Sequence, residues 1–123
     1  MPRVAATSLA LLAAPVMAAP ASTAMTLSQL QQTCGGTDDA SRNACHSFIV
    51  GVAMGAQAAA TQLGQPMRYC VPETVLASSI TTAVKQHMMF DLLLNPTDGE
   101  MPAVKFILET ITKSYSCRSS GTR

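Results

Sequence analysis

Apolar residues recur along this chain at spacings of three and four, with no strand-like alternation of useful length, and that period predicts helices. A short first helix is expected over residues 26–33, ending near Cys34. Gly35 and Gly36 then turn the chain, and Asp39 or Ser41 is placed to cap the next helix by accepting a backbone N–H bond. The second helix runs from about Arg42 to Gln62, with Phe48, Ile49, Val52, Ala53 and Ala56 on its apolar stripe. Gly64 ends it and Pro66 prevents continuation. Cys70-Val71-Pro72-Glu73 opens a third helix, because proline is tolerated at the first helical position. Its stripe is Val75, Leu76, Ile80, Val84 and Met88, and it extends through Met89 as far as Leu93. Residues 95–100, Asn-Pro-Thr-Asp-Gly-Glu, are the strongest turn signal in the chain. A fourth helix starts near Pro102, buries Val104, Ile107, Leu108, Ile111 and Tyr115, and stops around Cys117. The expectation is an all-α domain of four main helices over residues 26–117, followed by a polar tail over 118–123.

The first residues follow a different pattern. Arg3 and the amino terminus give a positive start, an uncharged apolar run covers residues 4–14, and Pro15 breaks it. That run is shorter than the roughly 20 residues needed to span a bilayer. Val16-Met17-Ala18 then supplies the small residues a signal peptidase reads, so residues 1–18 are expected to be a cleaved signal peptide and 19–25 a flexible mature start. A cut after Ala21 also fits, and a buried N-terminal helix is the rival interpretation. No cysteine follows the cleavage site to suggest a lipid anchor, and no later segment reads as long and apolar enough to cross a membrane. These features predict an exported protein of the bacterial periplasm.

Removal of such a leader leaves about 105 residues, the size of one domain. With no Trp, two Tyr and three Phe in the chain, the core must be aliphatic and thin. Eight Lys and Arg stand against seven Asp and Glu without any basic run, which leaves no electrostatic footprint for nucleic acid or an anionic membrane.

The four cysteines, Cys34, Cys45, Cys70 and Cys117, suit two disulfides in an oxidising compartment. Four cysteines allow three pairings. The helix assignment favours one of them. Cys34 ends the first helix and Cys45 lies in the first turn of the second. Cys70 opens the third helix and Cys117 closes the fourth. Antiparallel neighbours then bring Cys34 to Cys45 and Cys70 to Cys117 without a crossed chain. Zinc ligation competes only weakly, because zinc ligands come in pairs two to four residues apart. A Cys-x-x-Cys redox motif is absent. No metal or cofactor is expected.

Nothing in the chain assembles a reaction. His46 and His87 fall on different helices without an orienting carboxylate in sequence, and no Gly-x-Ser-x-Gly elbow exists. Gly51-x-x-x-Gly55 has the form of a membrane dimer motif, but in a chain without a span it predicts close helix packing in the core, with Phe48 beside it. Met88, Met89, Phe90, Leu92, Leu93 and Leu94 are too many apolar residues for one helix face. Some must stand exposed, anchor a loop or enter a partner.

The order of landmarks resembles a known family. Cys34, then Asn43-Ala-Cys45-His-Ser-Phe-Ile-Val-Gly51, Tyr69-Cys70-Val-Pro72, Asn95-Pro96, Met101-Pro102-Ala103 and Tyr115-Ser-Cys117 are similar to the Rap/Tai family, small exported helical immunity proteins of bacterial type VI secretion systems. The resemblance covers residues 27–117 and implies that the protein binds and blocks a peptidoglycan-cleaving amidase effector in the periplasm, as a homodimer in some members. The chain departs from the family pattern at Phe48, where Tyr is common, at Met54, where an acid is common, and at Ser116, which replaces Pro. A solitary periplasmic structural or stress-related binding protein of the same fold is the alternative function, and a small-molecule carrier the third. The turn at residues 95–101 is the expected partner contact. Asn95 and Pro96 make it project, and Asp98 and Glu100 are able to reach into an enzyme cleft.

Overall fold

The computed structural model describes residues 24–117. The expected signal peptide of residues 1–18 and the polar tail of 118–123 lie outside them. The described chain is helical: α1 (Leu27–Gly35), α2 (Asp39–Gln62), α3 (Ala77–Leu94), a 3-10 turn (Pro96–Glu100) and α4 (Ala103–Ser114).

Local chemistry sets most boundaries. Thr26 begins α1 with a capping box: its hydroxyl accepts from Gln29 N at 3.2 Å, and the Gln29 side chain accepts from Thr26 N at 2.9 Å. The start of α2 lies earlier than expected, because Asp38 rather than Asp39 or Ser41 is the cap, accepting from Ser41 N at 3.1 Å. The Ser41 side chain and then its amide hold the Asp38 carboxyl below the usual range, since both bonds favour the ionised form. Gly64 takes φ 63° at the end of α2, a conformation glycine reaches without strain.

The third helix corrects the sequence expectation at its start. It begins at Ala77, and Pro72 closes a turn by accepting from Val75 N at 2.9 Å. Cys70 is held elsewhere: its amide donates to Tyr115 O at 2.7 Å and its sulfur is bonded to Cys117. That tie to the end of α4 keeps residues 70–76 off the α3 axis.

The core lies where α1, α2, α3 and α4 meet, and its largest fully buried side chains are Tyr69, Leu27, Leu30, Ile49, Ile107, Ile111 and Val84. In α4, Ala103, Phe106 and Thr110 are buried whereas Val104 is exposed, which rotates the expected stripe by part of a turn. The start of α1 is clamped to the start of α4 by Leu27 N donating to Met101 O and Ala103 N donating to Met25 O, both at 2.8 Å. Cys34 is bonded to Cys45 and Cys70 to Cys117, with Cα separations of 4.9 and 4.8 Å. The first pair is buried; the second lies at the surface.

Two expectations about α2 fail. Its length and its Ala- and Gly-rich composition do make it long and apolar enough to cross a membrane, although Cys45, Ile49 and Ala53 are packed into the bundle. Gly51 and Gly55 do not mediate packing: both are exposed, and a Cβ at either meets nothing within 4 Å. Half-buried Phe48 does pack against the core. The reason is angular, since the buried stripe at Cys45, Ile49 and Ala53 has a spacing of four that leaves both glycines on the open side. Gly51→Ala should therefore stabilise the fold by about 0.5–1 kcal/mol, the helix-interior cost of glycine relative to alanine. Thermal unfolding checks this, and a lowered midpoint would mean that the face is covered.

Candidate functional site

The C-terminal half of α3 carries more apolar surface than the bundle can cover. Met88 is buried at the core and Leu92 is half-buried over the 3-10 turn. Met89, Phe90, Leu93 and Leu94 remain 57, 60, 75 and 75 % exposed. At about 100° per residue these four share one side of the helix, opposite the stripe of Ile80, Thr81, Val84 and Met88. An open groove of about 450 Å³ between α1 and α3, lined by Gln31, Cys34, Gly35, Lys85 and Met89 among others, continues this surface.

The 3-10 turn follows directly. Asn95 N donates to Asp91 O at 2.7 Å, Asp98 N to Asn95 O at 3.0 Å and Met101 N to Asp98 O at 3.0 Å, so the segment is fully turned rather than extended. Gly99 is buried against α1, where a Cβ would stand 2.8 Å from Ser28 Oγ, closer than side-chain atoms approach. This close packing corrects the expectation of a projecting loop. Asn95, Pro96 and Glu100 are exposed, but Asp98 is half-buried and turns back toward α3.

Asp98 faces Asp91, in the last turn of α3. The Asp91 Oδ2 atom is shut off from solvent without a hydrogen-bond partner. Burial first, and then the hydrogen bond and charge of Asp98, push the Asp91 carboxyl above the usual range; Asn95 and Lys113 act in the opposite direction. Its position seven residues before Asp98, across an Asn-Pro turn, was the available signal.

The remaining polar side chains have ordinary structural partners. Thr81 Oγ1 donates to Ala77 O at 3.2 Å, so at 2.8 Å it accepts from Nδ1–H of His46, a bond that joins α2 to α3. His87 lies on another part of α3, beside the Asp91–Asp98 cluster. Lys105 and Glu109 are 4.0 Å apart on exposed α4, where such a pair adds little. Among the described residues, no group of three His, Cys, Asp or Glu side chains is arranged to hold a metal ion. The best-formed feature is therefore an apolar, uncharged face that runs into a packed turn.

A family model described as Rap1a immunity proteins matches residues 26–117, and the chain belongs to that family. No curated protein and no solved structure matches the chain.

Proposed function

We propose that this member of the Rap1a immunity family acts in the periplasm, where it binds and silences a peptidoglycan amidase effector delivered by a type VI secretion system. The observation that carries this reading is the exposed face of Met89, Phe90, Leu93 and Leu94 leading into Asn95, Pro96 and Glu100. Contiguous apolar surface of this kind marks a protein contact. Aromatic and methionine side chains are enriched at the centres of such contacts, and polar residues form their rims. The packed turn contributes rigidity, so little ordering entropy is lost when a partner docks. Inhibition follows from occlusion: the inhibitor's surface fills or covers the hydrolase cleft and needs no reactive group. A homodimer would use the same kind of surface, and the α3 face and the open side of α2 offer separate places for the two contacts.

Periplasm-directed expression of a peptidoglycan amidase encoded beside this gene should lyse cells, and co-expression of this chain should restore growth. The triple variant Phe90→Ser, Leu93→Ser, Leu94→Ser should fold, because all three side chains are mostly exposed, yet lose protection. Its affinity should fall by about thirtyfold or more, corresponding to the loss of about 2 kcal/mol from a hot spot. Failure of the wild-type chain to protect would favour a solitary binding protein, and full affinity in the variant would move the contact off α3.

A further inference from the structure

We propose that one proton held between the Asp91 and Asp98 carboxyls latches the 3-10 turn (Pro96–Glu100) onto α3, so that the partner-binding face is rigid in acid and loosens as the pH rises. This inference rests on the reading of residues 95–100 as part of the contact surface. The observation behind it is geometric. Asp91 leaves α3 just before the turn, Asp98 returns from within it, and together with α4 they line a partly open cleft of about 180 Å³. Oδ2 of Asp91 is sealed from water and receives no donor. A carboxylate oxygen left that way lacks both solvation and a hydrogen bond, whatever the Asn95 side chain supplies to the rest of the group. Protonation removes both problems: Asp91 O–H donates to the Asp98 carboxylate, and the pair carries one negative charge in place of two. Loss of that proton to solvent leaves two adjacent anions that push the turn away from the helix.

The other charged groups around the cleft are few. His87 comes from α3, and Glu109 and Lys113 come from α4. α1, which packs against the turn through Ser28 and Gly99, has no titratable group except Cys34, which is tied in a disulfide. The Asn95 side chain and then Lys113 favour ionised Asp91, and yet burial and Asp98 outweigh them. A carboxyl whose pKa is raised by folding stabilises the fold below its unfolded pKa, and that stabilisation is lost as pH rises through the folded value. The latch therefore closes on acidification. A periplasm that follows the external medium would then present its immunity surface in its most ordered form when the surroundings are acid.

The test uses the free, oxidised chain and needs no partner. Carboxyl-carbon NMR should show Asp91 titrating above 3.8, its ordinary value. Amide exchange at Asp98 and Met101, corrected for intrinsic pH dependence, should slow on acidification, with the opening equilibrium changing about tenfold for each pH unit by which Asp91 is raised. Asp91→Asn should keep the turn closed and make its protection independent of pH, and Asp98→Asn should return the titration of Asp91 toward normal. An Asp91 that titrates at or below its ordinary value, or an Asp91→Asn chain that retains the wild-type pH dependence, overturns the latch. If the latch is present but the chain fails to protect against the amidase, the immunity reading fails while the latch stands; protection without titration gives the converse.

Discussion

A chain carrying Cys70→Ala together with Cys117→Ala should lose about 4 kcal/mol of stability, the chain-entropy value for a bond closing a loop of that length. The two cysteines are 47 residues apart, whereas Cys34 and Cys45 are separated by 11, for which the same relation gives about 3 kcal/mol. Both Cys70 and Cys117 are exposed, so alanine opens no cavity and the measured loss isolates the covalent constraint. The bond also closes a weak region. Residues 63–76 contain no helix; beyond the bonds that Leu63, Gly64 and Gln65 make to the end of α2, the segment is held by the Cys70 amide on Tyr115 O, the side chain of Tyr69 and the half-buried Val71 and Val75. Small domains have total stabilities of about 5–15 kcal/mol, so this one bond makes up a large share. Urea unfolding of the double variant, compared with the oxidised parent, measures it. A loss below about 1 kcal/mol would mean that the unfolded chain is already compact enough to gain little from the bond.

The second large effect is expected at Tyr69. Its side chain is 1 % exposed and its hydroxyl donates to the carbonyl of Ala53 in α2. It is the anchor that holds the α2–α3 connection on the bundle. Tyr69→Ala should cost about 3–5 kcal/mol, the range for removing a buried aromatic ring. Tyr69→Phe keeps the ring and should cost about 1 kcal/mol, the net value of one hydrogen bond. Burial raises the phenol above its ordinary value of 10.0, partly offset by the charge of Arg68. The sign follows directly: the neutral phenol stabilises the fold below the unfolded pKa, and that contribution disappears as pH rises through the folded one. Tyr69→Phe should therefore resist alkaline unfolding better than its stability at neutral pH implies. Denaturant melts on either side of pH 10 check both statements, and identical alkaline behaviour in the two chains would show that the phenol is not the group responsible.

Much of this fold was legible in the sequence because short-range periodicity and capping chemistry act locally. The spacing of Ile80, Val84 and Met88 and of Ile107 and Ile111 identifies helical stripes that are buried. The pairing of Cys34 with Cys45 follows from helix ends that meet, whereas Cys70 reaches Cys117 from the connection before α3 and not from a helix end. The errors came from long-range contacts. Pro72 is a good first residue for a helix, but the Cys70 tie to α4 overrides that preference. Tyr69 gave no periodic signal because it lies in a connection, and its burial depends on the Ala53 carbonyl 16 residues away. Gly51 and Gly55 suggested close packing, yet both positions lie on the open side of α2. For the candidate site, the excess of apolar residues after Met88 was visible, but which four point outward depends on how α3 is rotated by its contacts with α1, α2 and α4.

By itself, the sequence determined the helical class, the turn between the last two helices and a cysteine complement suited to an oxidising compartment, since each depends on neighbouring residues or on a simple count. Only the tertiary structure decided that the turn is docked, that Asp98 points inward at Asp91 and that Phe90, Leu93 and Leu94 are left uncovered. The physical reason is that orientation is a collective property. A helix rotates to bury its best stripe against all its neighbours at once, and whatever lies on the far side is assigned to solvent or to a partner.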